Sequence, residues 1–413
     1  MRRSRRGIGC LLALFGFGLV VVLGLRAGSA ALRDAPRSPG EMIDHAERRL
    51  VGHPRLQRWG VPMLEELRVA LGEPSPAERA LPFAVPPLAP NPMQAPAAAA
   101  ADDARVIRVG PTRAIRTIAE AARRAVDGSV IEIDPGDYHR DVAVWDRARL
   151  TIRGRGDRVR LIADGASAEG KAIWVVRRGE VTIENIEFVG ARVPDRNGAG
   201  IRLESGQLLV RQCRFYASES GIITAADVRS TLDVEDSEFG FLGQGDGYSH
   251  GIYVGAIASF RLVGSYLHDG NAGHLVKSRA WKNVLAYNRL IDGPAGRSSY
   301  EVEFPNGGEV EMVANVVEQG RRSRNSVIVS YAAEGYRYAT NRLHLRANVI
   351  VNDGRWGGTF VHVAPGPAKV ELVDNLWAGG GRLDVPPGAQ ESGNRSADWP
   401  YDIVVPPPMK VLP

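Results

Sequence analysis

The octet VTIENIEF, residues 181–188, decides how this chain is read, because variants of it return at intervals along the sequence. They are LLVRQCRF (208–215), LDVEDSEF (232–239), FRLVGSYL (260–267), NVLAYNRL (283–290), VEMVANVV (310–317), LHLRANVI (343–350) and VELVDNLW (370–377). Successive octets begin 23 to 33 residues apart. One supersecondary unit repeated at a period of about 20–50 residues is the signature of a solenoid. Most octets alternate apolar and polar residues, the pattern of a strand with one buried face. A further strand falls in each interval: GIRLE, GIITA, GIYVG, HLVKS, YEVEF, VIVSY and FVHVA. At least two short strands per period, with no helix between them, predict a parallel β-helix whose turns stack on one another.

The sixth octet residues form a column: Ile186, Cys213, Ser237, Ser265, Asn288, Asn315, Asn348 and Asn375. Asparagines stacked at one turn position bond to the turns above and below, satisfying interior backbone that water does not reach. Cys213 is read as a small member of this column, not as a nucleophile.

The 413 residues, 44% hydrophobic and 24% charged, can bury a sizeable core and do not describe a disordered chain. The formal net charge is +5, and Arg2, Arg3, Arg5, Arg6 and Arg26 supply that excess at the N-terminus. Elsewhere no basic stripe with interleaved aromatics occurs, so nucleic acid is not an expected partner. MRRSRR followed by the apolar run 8–25 predicts export, with the arginines left in the cytoplasm. The run is long enough to span a bilayer, and AGSA (27–30) offers small residues suited to cleavage. The expectation is an inner-membrane anchor facing the periplasm, or secretion if the segment is cleaved. Only Cys213 follows the run, so no intramolecular disulfide is expected there. Residues 1–30 are thus read as signal-anchor or signal peptide. Residues 31–104 are read as a helical and Pro/Ala-rich stalk, 105–380 as the β-helix and 381–413 as a Pro-rich tail.

Within 112–153 come a helix pattern, IRTIAEAARRA (115–125), then SVIEI (129–133), DPGDYHRDV (134–142) and LTIRGRG (150–156). This order resembles the start of the pectin-lyase-like right-handed parallel β-helix proteins, and the resemblance covers about 112–380. It implies an all-β, right-handed solenoid with an N-terminal capping helix that shields the first exposed strand edge. It does not imply one activity, because the fold carries lyases, hydrolases, epimerases, esterases and adhesin domains.

Chemistry-bearing residues gather between 246 and 306. Stacking Gly251, Gly273, Ser299 and Ser326 in one column turns Ile252, His274, Tyr300 and Val327 inward. The same register places Tyr253, Leu275, Glu301 and Ile328, and likewise Gly255, Lys277, Glu303 and Ser330, on the outer face. Turns about 4.8 Å apart then set Lys277 beside Glu303. With His250, His268, Arg279, Arg297 and Asn306 nearby in sequence, this face is expected to receive an extended polymer. VKSRAWKNVLAYNRL (276–290) is similar to a stretch of the chondroitinase-B and alginate-lyase branch of the fold. That resemblance implies Lys277 as the base of a β-elimination. The branch carries LRHG on the next turn; here EFPNGG (303–308) stands there, without the arginine acid.

Elimination from a uronate needs a base, a cation for the carboxylate and a proton source for the leaving oxygen. The expected catalytic residues are Lys277, Tyr253, His250 and Glu303. The expected substrate-binding residues are Arg279, Glu301, His268, Asn306 and Arg297, with calcium held by Asp269 and Glu301 as one source of positive charge. The expected function is lyase or C5-epimerase action on a uronate-containing polysaccharide. Two alternatives are a non-catalytic glycan-binding or envelope-assembly protein, and a glycoside hydrolase using Glu301 and Glu303 about 6.6 Å apart.

Overall fold

The computed structural model describes residues 105–397 except 157, 245–247, 324 and 355–356, together with Ile43, Met63, Leu64, Leu67 and Leu71. The chain divides into two units, Met1–Leu81 and Pro82–Pro413. In the first, Ile43, Met63, Leu64 and Leu67 are helical, and the Leu71 N–H donates to the Leu67 carbonyl at 3.0 Å. The apolar run 8–25, the AGSA segment, the Pro/Ala-rich spacer and everything beyond 397 lie outside the described residues. No helix among the described residues is long and apolar enough to cross a membrane.

The second unit coils into a parallel β-solenoid. Each full turn contributes three short strands, as in Ser259–Val263, Tyr266–His268 and Val276–Ser278. The octet is therefore two strands joined by a corner. The corner is its fifth residue: Asn185, Gln212, Asp236, Gly264, Tyr287, Ala314, Ala347 and Asp374 all have φ between 44° and 62°. This left-handed conformation costs a non-glycine residue about 1–2 kcal/mol, which the packing on either side offsets. Second strands of successive turns form an 11-stranded sheet. First and third strands join into a 20-stranded sheet, because Ala143–Gly154 and Ala172–Glu184 run through both tracks.

Octet positions one, three and eight fill the interior. Leu208 stacks on Val181 and Leu232, Val210 on Ile183 and Val234, and Phe215 on Phe188 and Phe239. The three phenylalanine rings lie nearly parallel, with centroids 5.0 and 4.6 Å apart. The sixth-position column is a hydrogen-bonded ladder, as expected. Backbone N–H groups of Ser265, Asn288, Asn315 and Asn348 each donate to the Oδ1 of the asparagine one turn on, at 2.9–3.0 Å. Cys213 sits buried in that column, and burial pushes its thiol up to about 12.

The helix before the first full turn spans Ile118–Arg124, shorter than the sequence pattern. Ile115 instead bridges to Val109 in β fashion, and Val126 is exposed. Thr117 caps it through its side chain, and Asp141 accepts from the N–H groups of Ile118 and Ala119 at 2.6 and 2.9 Å. Ile118, Ala121 and Ala122 join the solenoid's core. At the other end the coil continues past residue 380 through Arg382–Asp384, Gln390–Ser392 and Arg395–Ala397, with Asn394 as the next rung of the ladder.

Candidate functional site

The third strands carry the residues of interest. Their outer column reads Ile223, Tyr253, Lys277, Glu303, Ser330 and His362, each beside the next on adjacent turns. The expected register holds from Lys277 through Ser330, but the Tyr253 turn is displaced by two residues. Ile252, not Val254, pairs with Val276. Gly251 does not stack on Gly273; a Cβ there would lie 2.5 Å from the Leu275 carbonyl oxygen, so the chain passes that turn only as glycine. The shift sets Tyr253 directly beside Lys277.

Strands begin at Ile252, Val276 and Val302, and the residue before each, including Leu275 and Glu301, is a bend. Strand alternation therefore does not extend back to Glu301. This corrects the expectation that Glu301 shares the outer face with Glu303. Glu301 is completely buried with neither carboxylate oxygen hydrogen-bonded. Burial, then the charges of Asp292 and Glu318, push it well above the usual carboxylate range. It is enclosed away from the outer face that Glu303 shares with Lys277.

The outer face holds a compact charged cluster. Lys277 Nζ lies 2.8 Å from Glu303 Oε2 and 3.1 Å from Glu334 Oε1. Arg279 Nε donates to the Tyr253 hydroxyl oxygen at 3.0 Å, and its Nη1 donates to Asn306 Oδ1 at 2.7 Å. Its two terminal nitrogens grip both oxygens of Glu334, at 2.6 and 2.9 Å. That fork, with Lys277, holds the Glu334 carboxyl down at about 2, and the same hydrogen bonds raise Arg279 above its ordinary value.

Two buried histidines back the cluster. The His274 N–H donates to His250 Nδ1 at 3.1 Å, which requires that nitrogen to be unprotonated and leaves the His250 proton on Nε2. Burial, then Lys277 and Arg279, lower His250 to about 3. Its ring stacks on Tyr253 at 5.5 Å and lies 4.6 Å from the His274 ring. His274 Nε2 approaches Glu303 Oε2 at 3.0 Å, and burial lowers this histidine well below its ordinary value. Both rings are neutral imidazoles at neutral pH.

Of the expected residues, the structure thus brings together Tyr253, Lys277, Arg279, Glu303, Asn306 and His250. His268 is not among them. It lies on the second-strand sheet, with Nδ1 2.7 Å from Asp269 and Nε2 3.3 Å from Glu238. Burial there works to lower its pKa, but the two carboxylates together raise it. Arg297 lies in the turn between second and third strands, where it bonds Asn271 at 2.8 Å. The expected calcium pair is not formed, since Asp269 engages His268 and Glu301 is enclosed. Among the described residues no group of three or more His, Cys, Asp or Glu side chains is placed to hold a metal ion.

Sequence reasoning missed Glu334. It sits in the loop 332–341, which packs on the 305–308 turn through the Glu334 N–H to the Pro305 carbonyl (2.9 Å) and the Arg337 N–H to the Asn306 carbonyl (3.0 Å). Tyr336 Oη donates to the Ala364 carbonyl at 2.6 Å and Tyr338 Oη to the Arg279 carbonyl. The signal available was length: octets 310 and 343 are 33 residues apart, the widest interval, so extra chain had to emerge there.

Three parallel strands per turn around an inner asparagine ladder mark the architecture. It is that of a parallel β-helix, as the repeat predicted. No family model matches the sequence, and no curated protein matches it. Among solved structures, the chain is similar to an alginate lyase from Paenibacillus sp. str. FPU-7. The identity is 14% and the TM-score 0.49, covering 68% of this chain and 96% of that one. It is also similar to ORF18 of Geobacillus virus E2, at 12% identity and a TM-score of 0.38, covering 65% of this chain and 53% of that one.

Proposed function

We propose that this chain binds an anionic, uronate-containing polysaccharide along the outer face of its third strands. It acts there as a lyase or C5-epimerase, outside the cytoplasm. The observation that carries this reading is the convergence of Tyr253, Lys277 and Arg279 from adjacent turns, with the Tyr253 hydroxyl 3.0 Å from the Arg279 guanidinium. Removing a proton next to a carboxylate requires positive charge at the carboxylate and a proton acceptor within reach. Arg279 and Lys277 supply the first, with Asn306 holding the Arg279 guanidinium in place. Tyr253 supplies the second, with an N–H donor aimed at its oxygen and the neutral His250 ring behind it. Lys277, the base implied by the resemblance, is gripped by two carboxylates and must leave them before it can accept a proton.

In elimination the C5 proton passes to the base, its electron pair forms the C4–C5 double bond, and the C4–O bond breaks. The leaving oxygen takes up a proton. In epimerisation the proton returns to the opposite face of C5 and no bond to the chain breaks.

The test is ultraviolet absorbance of the unsaturated uronate product, on alginate, chondroitin, dermatan and pectate. A rise that Lys277→Ala reduces at least ~100-fold, and Tyr253→Phe likewise, is the expected result for a positioned proton-transfer group. A flat absorbance trace, with no proton exchange at C5 by NMR, overturns it. The double ion pairing of Lys277 favours one second reading, a glycan-binding protein without turnover, which the same polymers would reveal as binding alone.

A further inference from the structure

We infer that the Glu334 carboxylate occupies the subsite in which this protein receives the carboxylate of an incoming uronate. The inference rests on the reading above and specifies where on that face the acidic group of the sugar docks. Three donors, Arg279 Nη1, Arg279 Nη2 and Lys277 Nζ, converge on one carboxylate group at 2.6–3.1 Å. The parallel guanidinium fork suits the planar, two-oxygen acceptor of a carboxylate.

Charge makes the same point. Without Glu334, the two cations Lys277 and Arg279 face the single carboxylate Glu303, leaving one positive charge in excess. A single uronate carboxylate restores the balance that Glu334 now provides.

The exchange needs only a side-chain rotation. The loop backbone is pinned at Glu334 and Arg337, and the Tyr336 ring lies where Gly366 has no side chain: a Cβ there would come within 2.1 Å of it. The Glu334 side chain is 46% exposed, against 13% for Lys277. An exposed rotamer changes on the picosecond-to-nanosecond scale, so a fixed pedestal can present a removable carboxylate. Glu334 thereby competes with every ligand of this subsite, and the apparent affinity is the intrinsic one multiplied by the fraction of molecules in which it is swung aside.

The experiment uses the full chain and isothermal titration with oligo-uronates of mannuronate, guluronate and galacturonate. Neutral cello-oligosaccharides and a sulfated neutral glucan serve as comparison arms. Glu334→Gln keeps the side chain's shape and removes its charge. The expected result is about tenfold or greater tightening for at least one oligo-uronate, none for the neutral glycan, and loss of the gain when Arg279→Lys is added. Unchanged or weaker uronate binding in Glu334→Gln overturns the inference and makes Glu334 a clamp that orders Arg279. Tightening toward the sulfated glucan alone, or no uronate binding by either form, also overturns it. Titration and absorbance separate the two claims. Tightening without turnover keeps the subsite and ends the enzymatic reading; turnover without tightening does the reverse.

Discussion

Asn348 accepts the Asn315 N–H at 3.0 Å and the Asn315 side-chain amide at 2.9 Å, and donates to the Met312 carbonyl and to Asn375 Oδ1. Asn348→Ala strips a buried N–H of its acceptor and should cost about 2–3 kcal/mol, read as a lowered urea midpoint. Asn348→Ser should cost less, because Ser237 and Ser265 hold the same position and accept the preceding turn's N–H at 3.2 Å. Equal losses in the two variants would show that the ladder's acceptor role is not what stabilises the corner. This column was legible because one side-chain chemistry repeats at one octet position. The corner residue before it was not. Tyr287 and Ala314 share no chemistry with Asn185 or Gly264, and only their common backbone conformation, imposed by packing on both sides, marks them.

At the scale of the element, alternation along a strand located Lys277 and Glu303 correctly and misplaced Glu301. The rule applies only where the backbone is extended, and the chain bends at residue 301, one position before the strand Val302–Phe304. The Tyr253 turn slipped for a related reason, since its register is fixed by the close approach of Gly251 to the neighbouring backbone. The loop 332–341 depends on an equally local fit. Gly366→Ala would place a methyl group against the Tyr336 ring and should unseat the loop at a cost of about 1–3 kcal/mol. Amide exchange at Glu334 and Arg337 should then accelerate while Asn315 and Asn348 stay protected. Uniform protection across all four would mean that the Tyr336 contact does not hold the loop.

At the scale of the whole molecule, the buried carboxyls make stability depend on pH. Burial pushes Asp292 up to about 7 and raises Glu301 and Glu318. A carboxyl with a folded pKa above its unfolded one costs nothing at low pH, and its cost grows as pH rises from the unfolded toward the folded value. Glu301→Gln removes that dependence at one site. Its stability relative to the parent should climb from near equality at about pH 4, by up to about 1.4 kcal/mol per pH unit, as pH rises above the unfolded carboxyl's value. A gap that widens toward acid would contradict a buried, uncharged Glu301. His250 and His274 act in the opposite sense. Their folded pKa values are depressed, so acid favours the unfolded chain, where they charge.

The repeat, the parallel solenoid, the inner asparagine column and the pairing of Lys277 with Glu303 were all legible in the order of residues. Each follows from a pattern that recurs at a fixed interval, and stacking identical turns turns interval into contact. That Tyr253 stands beside Lys277, that Glu301 is enclosed and that Glu334 reaches across to Arg279 emerged only on folding. Those outcomes depend on bends, on one close backbone approach and on a loop outside the repeat. There the contacts are set by how neighbouring turns pack, which no single interval in the sequence encodes.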